Sequence, residues 1–144
     1  MVFYTGVARS ATDNSKVLTK NLIGDDEKFL AQKKMVDWVV PFKNKLIKGD
    51  LQALGEILHE GWLLKKKTSN VISNKDIDNI YNLGLKRGAW GGKLLGAGGG
   101  GFILFLVPPK NQRKLSATFS KLRQLPVDFD DHGAKVIFNR YEYI

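Results

Sequence analysis

A chain of 144 residues, 43% hydrophobic and 26% charged, has the composition of one folded domain rather than a disordered segment, with room for a two-layer core but little for a complete two-substrate enzyme. It contains no cysteine, which excludes disulfides and thiolate-held zinc and fits a reducing, cytoplasmic setting. The net charge of +9 is spread along the chain, and Lys65-Lys66-Lys67 is the only basic run. No aromatic-interleaved strand or recognition helix accompanies it, so a weak field attracting a phosphorylated small molecule fits that excess equally well, with nucleic-acid binding kept as a minor alternative.

In chain order, Val2 to Tyr4 reads as a short strand, and Arg9-Ser10 opens a helix through Leu18. Asp25-Asp26-Glu27 forms the acidic first turn of a second helical stretch with Phe29, Val36, Val40 and Ile47 at roughly helical spacing. Pro41 removes an intrahelical hydrogen bond, so a kink or a meeting of two helices is expected near Val40. Gly49-Asp50 is a stop followed by an N-cap, and the helix over 51–67 is the clearest in the chain. Its periodicity puts Leu51, Leu54, Ile57, Leu58, Gly61 and Leu64 on the core face, with His59 and Lys66 opposite and Trp62 at the border. A loop over 68–73 leads to a helix carrying Ile77, Ile80, Tyr81 and Gly84 and ending near Gly88.

Beyond it the pattern turns to strands: 92–95, a glycine loop, 102–107, a helix opened by Pro108-Pro109, and after Val127 and Phe129 a turn at 130–133 before a last strand over 135–141. This order predicts an α+β domain, with helices packed on one face of a largely antiparallel sheet. The longest apolar run, 102–107, is too short to cross a bilayer, and the first residues lack the basic-then-apolar order expected of a signal peptide.

The glycine loop, Gly96-Ala97-Gly98-Gly99-Gly100-Gly101, lets another backbone, a phosphate or a sugar approach closely. Its cost in conformational entropy suggests that something outside the chain needs the space. Although it matches GxGxxG, a strand rather than a helix follows, so no helix N-terminus meets a pyrophosphate. The Gly-Lys-Ser/Thr of a P-loop is absent too. A structural hairpin and a ligand loop remain as readings.

The wider stretch, from Gly88-Ala-Trp-Gly-Gly-Lys93 through the loop to Phe102-Ile-Leu-Phe-Leu-Val-Pro-Pro109, resembles the third motif of the GHMP kinase superfamily, which includes galactokinase, homoserine kinase and mevalonate kinase. Tyr4-Thr-Gly with Arg9-Ser-Ala11, Leu58-His-Glu-Gly-Trp62 with Lys65-Lys66, and Ile72-Ser-Asn with Ile77-Asp78 resemble its heptose 7-phosphate kinases in order and spacing. The resemblance spans essentially the whole chain.

It implies the ferredoxin-like C-terminal domain of a two-domain sugar kinase, occupying residues 1–144, with the N-terminal ATP-binding domain absent. The motifs of that other half, including its Pro-x-x-x-Gly-Leu-Gly-Ser-Ser-type loop, are not found here, so ATP and Mg2+ would be held mainly by the missing partner and this chain alone would be inactive. The implied reaction moves the ATP γ-phosphate to the anomeric hydroxyl of D-glycero-D-manno-heptose 7-phosphate, on the route to nucleotide-heptoses. A fucokinase-like enzyme and a non-catalytic binding or regulatory module of the same fold are the alternatives.

Under this resemblance Gly96 to Gly101 line a cleft beside phosphate and sugar, and His59, Trp62, Lys66, Lys93 and Arg9 are candidate substrate contacts. No catalytic residue and no metal ligand is expected within the chain. Each contact has a plainer reading: solvated lysines at 66 and 93, a core Trp62, and a salt bridge for Arg9. Asp130-Asp131-His132 reads as a turn rather than a metal cluster. An isolated second domain would expose the apolar wall its partner covers, so a homo-oligomer is a further expectation.

Overall fold

The computed structural model describes residues 1–7, 25–130 and 132–138; the helix expected from Ser10 to Leu18 lies outside them. Strand β1 (Val2–Tyr4) comes first, then helices α1 (Asp26–Asp37), α2 (Val39–Ile47), α3 (Leu51–Thr68) and α4 (Lys75–Lys86). Strands β2 (Gly91–Leu94) and β3 (Phe102–Leu106), helix α5 (Pro109–Thr118) and the two-residue β4 (Gln124–Leu125) complete the order. The sheet order is β2-β3-β1-β4 with every neighbouring pair antiparallel. This is the split arrangement of a ferredoxin-like fold, in which each crossover skips one strand.

Local chemistry accounts for the helix boundaries. Asp25 caps α1 by accepting from the Lys28 amide, Asp50 caps α3 by accepting from Ala53, and Asn74 caps α4 by accepting from Asp76 and Ile77. The stretch containing Pro41 is two helices meeting at Trp38, with Pro41 in the first turn of the second, where its missing N–H costs nothing. Gly88, at φ +92°, takes the left-handed position after α4, and the Asn111 side chain donates to its carbonyl at 3.1 Å. Pro109 opens α5 as its first residue.

The core lies between the sheet and α3, α4 and α5. Phe3, Leu94, Ile103 and Phe105 project from the strands to meet Trp62, Tyr81, Leu115 and Phe119. Tyr81 stacks on Phe105 at 5.8 Å between ring centroids, and Phe3 meets Phe119 edge-on at 5.1 Å. Glycine allows the closest contacts: a Cβ on Gly84 would overlap the Phe105 ring, and one on Gly91 would overlap the Gly55 carbonyl oxygen. Helix α3 and strand β2 therefore touch backbone to backbone.

The residues at helical spacing in α1 and α2, Phe29, Val36, Val40 and Ile47, lie on the outer face, 58%, 61%, 63% and 73% exposed. Ala31, Met35, Trp38 and Phe42 turn inward instead, Ala31 buried and the other three lining a cavity against α3. The expectation of a last strand is corrected: it is absent over the described residues 135–138, and Phe129, Val136, Ile137 and Phe138 are all strongly exposed. Alternating apolar residues signal the capacity to pair, and the described residues of this stretch join no strand of the sheet.

Candidate functional site

Three elements build the region around the glycine loop: the C-terminal half of α3, the loop between α3 and α4, and the β2–β3 connection. Gly96, Gly98, Gly99 and Gly101 all have φ > 0, between +75° and +97°. The Gly99 amide donates to the Ile72 carbonyl at 2.8 Å, and the Gly101 amide donates to the Val7 carbonyl at 2.7 Å. The Thr5 amide and hydroxyl both donate back to the Gly101 carbonyl, at 2.8 and 2.9 Å. A Cβ on Gly98 would lie 2.8 Å from Ile72 Cα, and one on Gly100 would lie 2.5 Å from the Val7 carbonyl oxygen. The expectation that something outside the chain needs this space is thus corrected for the inner glycines, whose space is taken by the chain's own backbone. At Gly96 and Gly101 a Cβ would meet nothing within 4 Å among the described residues, and Gly96 is exposed. The outer rim of the loop remains open.

Lys65 grips that rim: its ammonium donates to the Gly96 carbonyl. Burial, and then the charge of Lys93, hold the Lys65 pKa below that of an ordinary lysine. Lys65 and Lys93 line the same cavity of about 280 Å³, and among the described residues no carboxylate lines it with them. The sequence reading passed over Lys65 in favour of Lys66, although both belong to the one basic run.

The other candidates separate. Lys66 forms an ion pair with Asp78 at 3.0 Å, shared with the Ser73 hydroxyl, and its ammonium lies 5.8 Å from the centre of the Trp62 ring. His59 and Lys66 do not point away from the core. His59 is stacked nearly parallel on Tyr81, with its Nδ1 2.7 Å from the Tyr81 hydroxyl, which donates to the Gly92 carbonyl at 3.2 Å. Burial pushes the Tyr81 phenol well above its ordinary pKa. Trp62 is 1% exposed, which gives its ring a core role and leaves no open face for stacking on a sugar.

The reason for these shifts is that α3 is covered twice. The sheet packs along Gly55, His59 and Trp62, while α1 and α2 cover the side of Ile57 and Leu58, across the cavity that Gly61 borders. Leu51, placed on the core face by periodicity, is half exposed. Arg9 lies outside the described residues. His132 and Asp130 form an exposed turn, with the His132 amide donating to the Asp130 carboxylate at 2.8 Å. Among the described residues no group of three His, Asp or Glu side chains could hold a metal ion, and no helix is long and apolar enough to cross a membrane.

Comparison with known proteins fits this architecture. The chain is 31% identical over 129 residues to the D-glycero-alpha-D-manno-heptose 7-phosphate kinase of Campylobacter jejuni, a match covering 90% of this chain and 38% of that protein. It is 29% identical over 115 residues to the bifunctional fucokinase/GDP-fucose pyrophosphorylase of Arabidopsis thaliana, covering 79% of this chain and 11% of that one. The crystal structure of L. major mevalonate kinase in complex with R-mevalonate superposes with a TM-score of 0.71 at 27% identity, over 83% of this chain and 36% of that one. The chain thus spans less than two fifths of the length of each relative. The family described as GHMP kinases C terminal matches residues 42–124, more than half of the sequence, and the chain belongs to that family.

Proposed function

We propose that this chain forms one wall of the cleft of an ATP-dependent sugar kinase that phosphorylates the anomeric hydroxyl of D-glycero-D-manno-heptose 7-phosphate to the 1,7-bisphosphate. The observation that carries the reading is the open rim of the glycine loop at Gly96, held by Lys65 with Lys93 close by and no carboxylate between them. Phosphoryl transfer depends mostly on positioning and on neutralising charge, and two ammoniums beside an unobstructed backbone serve both ends.

The residues present fit a supporting part in nucleotide binding. ATP supplies the transferable phosphoryl group when bound. The Gly99 and Gly101 amides are already spent on Ile72 and Val7, so the loop offers phosphate its outer rim and the lysine charges rather than a cradle of amides. Under this reading Mg2+ and the main grip on ATP belong to a separate nucleotide-binding half. We therefore expect the chain to be inactive alone and to take that half and a sugar phosphate as its partners.

A fucokinase is the second reading, favoured by the match to the Arabidopsis enzyme. The test is ATP-dependent phosphorylation of the heptose 7-phosphate and of fucose, by the chain alone and after adding an N-terminal half that carries the phosphate-wrapping loop. The expected result is no turnover alone and heptose turnover from the pair. Turnover by the chain alone would overturn its incompleteness, preference for fucose would support the second reading, and silence from a well-folded pair would leave a non-catalytic binding module.

A further inference from the structure

Helix α3 contains two interior glycines, and they differ in what surrounds them. Gly55 is required by packing, since a Cβ there would lie 2.5 Å from Trp90 Cβ. At Gly61 a Cβ would meet nothing within 4 Å among the described residues. An interior helical glycine costs about 1 kcal/mol relative to alanine, and no contact among the described residues accounts for that cost at Gly61. What Gly61 borders is the cavity of about 280 Å³ between α3 and the α1–α2 pair.

The chemistry of that cavity is two-sided. Met35, Phe42, Ile57 and Leu58 give it an apolar body, and Lys65 and Lys93 bring two positive charges with no carboxylate among the lining residues. Trp62, also a lining residue, carries a buried indole N–H without a hydrogen-bond partner. A buried unpaired donor is uncommon in a native structure and points to an acceptor other than the described residues. The apolar lining offers a polyhydroxylated sugar few partners, whereas a short hydrocarbon body would bury well.

We propose that this cavity is a binding site for a small amphipathic anion, an alkyl or aryl carboxylate, with its body between Met35, Phe42 and Leu58 and its charged head at Lys65 and Lys93. Because Lys65 also donates to the Gly96 carbonyl, the head of such a ligand competes with the glycine loop for that ammonium. Occupancy therefore loosens the rim of the loop, coupling the cavity to the candidate cleft. The site shares Lys65 and Lys93 with the kinase reading but does not depend on it, since binding is read on this chain without ATP, sugar or transfer.

The test is titration of the 144-residue chain with octanoate, followed by tryptophan fluorescence and by the NMR amide signals of Gly61, Gly96 and Gly98, with hexanoate, 1-octanol and inorganic phosphate as comparisons. Octanoate should bind about tenfold more tightly than hexanoate, as two further buried methylenes require, and about tenfold more tightly than 1-octanol, which lacks the charge. Gly61→Leu fills the space with a better helix former, so it should keep the fold and abolish binding. Lys65→Met should weaken octanoate about tenfold while leaving 1-octanol nearly unchanged. Gly61→Ala, which adds one methyl, should raise the melting temperature and weaken octanoate, and it serves if the leucine variant fails to fold. No saturable octanoate binding, phosphate binding as tightly as octanoate, or octanoate affinity indifferent to Gly61→Ala and Lys65→Met would each overturn the proposal. So would a change of oligomeric state as the main effect of Gly61→Leu, which would give the cavity to a second copy of the chain.

Discussion

Along the seam between α3 and β2, Gly55 and Gly91 lie outside the left-handed region of φ and are glycines because two backbones touch there. In the loop after β2, Gly98 combines φ of +97° with a tight approach to Ile72, while Gly101 has φ of +93° and no described atom within 4 Å of where its Cβ would lie. Sequence treats these residues alike. The structure separates three demands: absence of volume at the seam, absence of volume plus a left-handed backbone in the inner loop, and a left-handed backbone alone at the rim. Only the third leaves room for another molecule.

Substitution by alanine should rank them. Gly91→Ala forces a Cβ into the Gly55 carbonyl and should cost about 3 kcal/mol or more, since neither backbone can yield without parting α3 from the sheet; denaturant unfolding measures it, and a loss below about 1 kcal/mol would dissolve the distinction. Gly98→Ala should cost about 2 kcal/mol, from strain and the clash at Ile72, and should speed hydrogen exchange at the Gly99 amide. For Gly101→Ala only the backbone term remains, about 1 kcal/mol, with exchange at Gly99 unchanged. The smallest effect is electrostatic. Lys93→Met removes the like charge beside Lys65, so Lys65 should titrate at higher pH than in the parent chain, which a 13C titration of its side chain reads directly.

Local signals in the sequence were dependable. Gly49-Asp50 before α3, Gly88 after α4 and Pro109 at the start of α5 mark boundaries by chemistry that acts within a few residues, and each lies where that chemistry puts it. The face of α3 was harder to read. A helix covered on two sides has no single apolar stripe, so periodicity through Leu51 and Leu64 averages two contacts and turns His59 and Lys66 the wrong way. The inner glycines were illegible for another reason. Their partners, Val7 and Ile72, are distant in sequence, and nothing in a run of glycines says which backbone will come near it. Lys65 illustrates the same limit, because three consecutive lysines look equivalent until the Gly96 carbonyl selects one of them.

The sheet order also shapes how the molecule assembles. Strand β1 sits between β3 and β4, so Val2 finds its neighbours at Leu104 and Leu125, whereas β2 and β3 form a local hairpin. Closing so long a loop costs entropy before any contact repays it, which slows folding relative to local pairing. The α3–α4 unit and the β2–β3 hairpin can therefore gather first, leaving a gap in the sheet that β1 fills late. Pulse-labelled hydrogen exchange during refolding should find the amides of Phe3 and Tyr4 protected after those of β2, and earlier protection at β1 would reverse that order.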